Sequence, residues 1–162
     1  MEGTTRRLRS TLRRDGITRS VRPRYIGNGQ SCCGNFARSV AVVGRRQYST
    51  AGHVPILHYR QGTHTTERLF LEQFPVGIIP GAEYHVARTE CGREDAFVML
   101  TDGIVEVTKA GDEEFGLERV ERLLLENAAR PLADIAQIII GATTEHGRQM
   151  DDQTILVARI TG

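Results

Sequence analysis

Ala96-Phe97-Val98-Met99-Leu100 is an apolar run that stops at Thr101-Asp102-Gly103. Its length and its aromatic and β-branched content predict a strand buried on both faces. The residue after Asp102 is a glycine, which lets the backbone turn sharply and approach a ligand. A second strand is predicted over Thr154-Ile155-Leu156-Val157-Ala158, and Asp151-Asp152 stands just before it. If the two strands are antiparallel neighbours, the exit of one meets the entrance of the other. Carboxylates far apart in sequence then converge at one sheet end.

Working outward, the sequence upstream predicts strands. Val40-Ala41-Val42-Val43, a Gly44-Arg45-Arg46 turn and Gln47 to Ala51 give two short ones. Pro55 to Tyr59 gives a third, and a polar loop over 60–66 leads into Arg68-Leu69-Phe70-Leu71. Pro75, Gly77, Pro80 and Gly81 punctuate a loop, and Tyr84-His85-Val86-Ala87 is the next strand. Two helices follow. The first covers about 116–129, with Leu117, Val120, Leu124 and Ala128 on one face, Leu123 beside them, and a Glu118–Arg122 pair one turn apart. The second opens at Pro131 and carries Ile135, Ile138, Ile139 and Ala142 inward up to about Glu145. Strands, then a helix pair, then a returning strand indicate an α+β fold of mostly antiparallel strands.

Composition narrows the function classes. With 162 residues, 40% hydrophobic and 25% charged, the chain has the make-up of a globular domain. No apolar run approaches the ~18 residues of a spanning helix, and the basic N-terminus lacks a secretory core, so a cytoplasmic protein is expected. Three cysteines, Cys32, Cys33 and Cys91, give neither a disulfide framework nor a C-x-x-C metal spacing.

The net charge of +1 hides an asymmetry. Residues 1–60 hold twelve arginines against Glu2 and Asp15, whereas the rest holds nine basic and eighteen acidic groups. The character of the sequence changes abruptly near Ser39, which separates a basic segment, 1–38, from a domain over 39–162. Three accounts of the segment compete. It is a disordered arm too polar to order itself, or a nucleic-acid-binding arm with arginines on phosphates. Alternatively it is not native to the domain, as a shifted reading frame or a misplaced start would produce. Only Tyr25 and Phe36 offer stacking surface, which counts against nucleic acid.

Converging aspartates with few nearby cations suit Mg²⁺ or Mn²⁺, hard ions that take oxygen ligands and keep several waters. A D-G turn is common and an acidic pair before a strand is often just a solvated loop, so spacing alone favours that reading over a metal site. The wording points the other way. AGHVPIL (51–57), FPVGI (74–78), FVMLTDGIVE (97–106), EEFGLERV (113–120) and DDQTILV (151–157), in that order, resemble the metal-dependent PPM protein phosphatases, specifically the SpoIIE-like bacterial branch of the protein phosphatase 2C superfamily. The resemblance runs from about Val40 to Ile160 and covers about the C-terminal half of the family's catalytic domain.

That resemblance implies part of an α-β-β-α sandwich whose two central sheets hold a binuclear Mn²⁺ or Mg²⁺ centre. It implies hydrolysis of phosphoserine and phosphothreonine on protein substrates, such as antagonists of anti-sigma factors, with a metal-activated water as the nucleophile. It places metal ligands at Asp102 and Asp151, with Gly103 and Asp152 as accessories, and gives the cysteines no covalent role. The family's Gly-Gly-Asp motif, whose Asp bridges the two ions, is not found in this sequence. At most one weakly held ion is therefore expected, since the screening carboxylate between two cations is missing. Strands missing from a truncated domain would leave sheet edges open to self-association. Three readings stand: a phosphatase domain truncated as given, a non-catalytic remnant that binds a phosphoprotein or is completed by a partner, and a basic-arm nucleic-acid binder. His53 is expected to be structural, and His58, His64, His85 and His146 to be surface groups. Gly111 to Glu114 is expected to charge the start of the next helix, and Leu123-Leu124-Leu125 to be core.

Overall fold

The alternation of the apolar run at 96–100 places Ala96, Val98 and Leu100 on one side of a strand and Phe97 and Met99 on the other. In the computed structural model, which describes residues 40–42 and 45–161, that strand is the hinge of two layers. The elements are β1 (Val40–Val42), β2 (Arg45–Tyr48), β3 (Ile56–Arg60), β4 (Thr65–Leu69), β5 (Ala87–Glu90), β6 (Ala96–Leu100), α1 (Asp102–Val105), α2 (Leu117–Asn127), α3 (Leu132–His146) and β7 (Ile155–Arg159). One sheet has the order β1-β2-β5 and the other β4-β3-β6-β7, with every pairing antiparallel. The expected α+β class is what the chain adopts.

The four-stranded sheet buries both faces. Leu57, Tyr59, Val98 and Leu100 pack against Val120 and Leu124 of α2 and Ile135 and Ile139 of α3. Ile56, Leu69 and Phe97 face the other way and meet Tyr48 and Cys91 of the three-stranded layer. The layers therefore run sheet, sheet, helix pair. Arg159 fastens the helix pair to β7, donating to the carbonyls of Ala128 and Arg130 beyond the end of α2.

Several boundaries differ from the sequence reading. The strand expected over 84–87 lies at Ala87–Glu90, because the His85 N–H is taken by the Gln73 side chain while Ala87 opens the ladder to Tyr48. The strand expected at 68–71 lies at Thr65–Leu69, since β3 and β4 form a tight hairpin whose turn uses His64 at φ 54°. The helical turn α1 was not anticipated. Glu118 pairs with Arg68 of β4 rather than with Arg122. Of the leucine triplet, Leu124 is core and Leu123 packs against it, but Leu125 is exposed. Glu113 does not simply charge the helix start; it pairs with Lys109 and Arg119.

His58 corrects the expectation of surface histidines: it is fully buried. Its ring stacks on Phe97 with centroids 4.3 Å apart, and Nε2 lies 3.0 Å from Oδ2 of buried Asp95. The Thr89 hydroxyl, from the other sheet, lies 3.4 Å from Nδ1. The accounts of residues 1–38, including Cys32 and Cys33, fall outside the described residues.

Candidate metal centre

Leu100 of β6 pairs with Ile155 of β7, so the two strands bring their acidic flanks to the same sheet end. Thr101 continues the contact, its N–H donating to the Thr154 carbonyl at 3.0 Å. Asp102 opens α1, and its Oδ1 accepts from the Gly103 N–H at 3.0 Å. Asp151 repeats that arrangement on the facing turn, with Oδ1 accepting from the Asp152 N–H at 2.7 Å. All three aspartates are exposed, and no ion pair engages them among the described residues.

The approach of the two turns is close enough to dictate a residue type. A Cβ added at Gly103 would lie 2.6 Å from the Asp152 carbonyl and 3.1 Å from that of Asp151. Only glycine fits there, which gives the D-G pair a packing reason as well as a conformational one. The Gln153 side chain closes the seam, donating to the Gly103 carbonyl at 3.0 Å.

The other histidines and Cys91 lie elsewhere. His53 is buried and turns Nδ1 onto the Val54 carbonyl, in keeping with a structural role. His64 and His85 are exposed, and His146 reaches the Glu113 carbonyl. The Cys91 thiol donates to the Thr89 carbonyl at 3.8 Å.

The donor set is hard and anionic, which matches Mg²⁺ or Mn²⁺ in kind. It is also small, since no three His, Cys, Asp or Glu side chains gather to hold a metal among the described residues. Asp102 and Asp151 are oxygen donors of the kind Mg²⁺ takes, an ion that usually completes its shell with water and substrate oxygens.

The family model for stage II sporulation protein E (SpoIIE) matches residues 24–161. The chain belongs to the SpoIIE family. Solved structures agree on the SpoIIE fold. The phosphatase domain of the cell-fate determinant SpoIIE from Bacillus subtilis, presoaked with Mn, superposes with a TM-score of 0.61 at 19% identity, over 79% of this chain and 57% of that one. The RsbU and RsbW domains of Rv1364c from Mycobacterium tuberculosis give 0.60 at 26% identity, over 72% and 33%. The catalytic domain of the serine/threonine protein phosphatase PstP, in complex with two manganese ions, gives 0.56 at 15% identity, over 76% and 57%. This SpoIIE-family chain therefore spans less than two thirds of each of these structures. Comparison with curated proteins finds no match. No helix among the described residues is long and apolar enough to cross a membrane.

Proposed function

We propose that this chain is part of a metal-dependent phosphoserine/phosphothreonine protein phosphatase in which Asp102 and Asp151 hold one divalent ion, Mn²⁺ or Mg²⁺. The observation that carries the reading is the backbone contact between the two acidic turns, in a chain of the SpoIIE family. The substrate class is a cytoplasmic phosphoprotein, such as an antagonist of an anti-sigma factor. When bound, such an ion supplies neutralisation of phosphoryl oxygens and a more acidic water.

The chain's own residues do the positioning. β6 leads through Thr101 into Asp102, the turn before β7 carries Asp151, and the pairing of the two strands brings both turns to one end of the sheet. Gly103 keeps the space between the turns closed, and the Gly103 and Asp152 N–H groups each hold one oxygen of the preceding carboxylate. Asp152 joins the site through its backbone.

Mn²⁺-dependent hydrolysis of a phosphoserine peptide by the purified chain, with Asp102→Asn and Asp151→Asn alongside, tests this. The expected result is turnover that requires metal and falls by orders of magnitude in both variants. A folded chain with no turnover rejects catalysis by this chain. The partial donor set favours the second reading in that event, a domain that binds a phosphoprotein without hydrolysing it.

A further inference from the structure

Thr101 occupies the N-cap position of α1 with an extended backbone, φ −84° and ψ 159°. A threonine there ordinarily turns its hydroxyl onto the N–H groups of its own helix. Here it makes no such bond. The hydroxyl instead donates to the Asp152 carbonyl at 3.0 Å and accepts from the Thr154 N–H at 2.9 Å. Both partners lie on the facing turn.

Gln153 makes the reciprocal connection. It leaves the turn before β7 and donates to the Gly103 carbonyl at 3.0 Å, within the turn that carries Asp102. Each acidic turn thus sends one side chain across to the backbone of the other, and Gly103 supplies the gap that lets them close. The ladder bond from Thr101 N–H to Thr154 is the last backbone bond of the β6–β7 pair. Beyond it, these side chains hold the spacing.

We infer that Thr101 and Gln153 are positioning residues, a crossed clasp that fixes the separation of the Asp102 and Asp151 carboxylates. The inference rests on the ion-binding reading above, but its mechanical part stands by itself. Removing groups that orient metal ligands typically weakens metal affinity 10–100-fold. Here the groups act through backbone, so the lower end of that range applies.

The test uses the whole chain with Thr101→Val, Thr101→Ser and Gln153→Leu. Thr101→Val keeps the shape and loses the hydroxyl, whereas Thr101→Ser restores it. Two quantities are read: Mn²⁺ affinity, from the free-ion electron paramagnetic resonance signal, and amide hydrogen exchange over residues 151–154. Thr101→Val and Gln153→Leu are expected to weaken Mn²⁺ about 10-fold and to speed exchange in that turn, with Thr101→Ser close to the parent. Exchange unchanged in both variants overturns the clasp, whatever the ion does. Faster exchange with unchanged Mn²⁺ affinity overturns the positioning role. A parent chain whose Mn²⁺ binding ignores Asp102→Asn removes the proposed ligand role instead, and exchange still decides the clasp.

Discussion

Gly103 carries the sharpest constraint on any single position. Gly103→Ala would press a methyl against the Asp152 carbonyl, and backbone on both sides leaves nothing flexible to yield. Overpacking of this kind costs about 1–3 kcal/mol, so the urea midpoint should fall accordingly and Mn²⁺ affinity with it. A midpoint within error of the parent would show that the turns separate freely. That Asp102 and Asp151 lie on facing turns at one sheet end was legible in the sequence, because each borders an apolar strand and strand ends are where chain reversals place side chains at a rim. The clasp was not legible. Thr101 and Gln153 look like ordinary turn residues until β6 and β7 are known to be neighbours. His58 was hidden for a similar reason, because its acceptor, Asp95, is far from it in sequence and only the β3–β6 pairing joins them.

At the scale of elements, β3, β5 and β6 share a buried polar pin. Burial pushes the His58 pKa down, against the hydrogen bond that its Nε2–H donates to Asp95, which pulls it up. Burial alone would raise Asp95, but the Gly92 and Gln61 N–H groups, with His58, outweigh it and hold the carboxyl below its ordinary 3.8. Both shifts act in the same direction. A lowered histidine contributes stability that is present above about 6.5 and is lost as the pH falls through its folded value. Asp95 adds a further loss as the pH falls below 3.8. Thermal midpoints should therefore decline from pH 7 towards 5 in the parent, and less steeply in His58→Gln. Equal slopes would remove His58 from the account. The Arg68 bridge from β4 to Glu121 and Glu118 on α2 is exposed, so Arg68→Ala should cost no more than about 1 kcal/mol in urea. Ile139→Ala, in the core between α3 and the sheet, should cost about 2–5 kcal/mol. Helices were the most legible elements because their apolar faces repeat. The strand misplaced near Tyr84 was not, because apolar Val86 is exposed on a loop, where pattern and burial part company.

Over the whole molecule, the helix pair covers one face of the large sheet more fully than the small sheet covers the other. A cleft of about 250 Å³ remains between the sheets, bordered by Tyr48, Ile56, Phe97, Met99 and Leu156. Leu156 is half exposed on β7, which is an edge strand among the described residues. Apolar edges invite pairing with another chain, and a charged residue there discourages it. The parent is expected to associate with rising concentration in sedimentation, and Leu156→Lys to reduce that association while shifting the urea midpoint by no more than about 0.5 kcal/mol. Unchanged association would place the contact elsewhere. The α+β layering was readable from the order of elements, whereas the two-sheet split came only through the family resemblance, because short strands do not announce their partners. The pairing of β6 with β7 also sets a schedule. On the ribosome, β6 is finished 54 residues before Ile155 is made. At about 5–20 residues per second that is roughly 3–11 s. Through that interval the most apolar strand of the molecule has one side without its partner, and the two acidic turns cannot meet until β7 emerges from the exit tunnel.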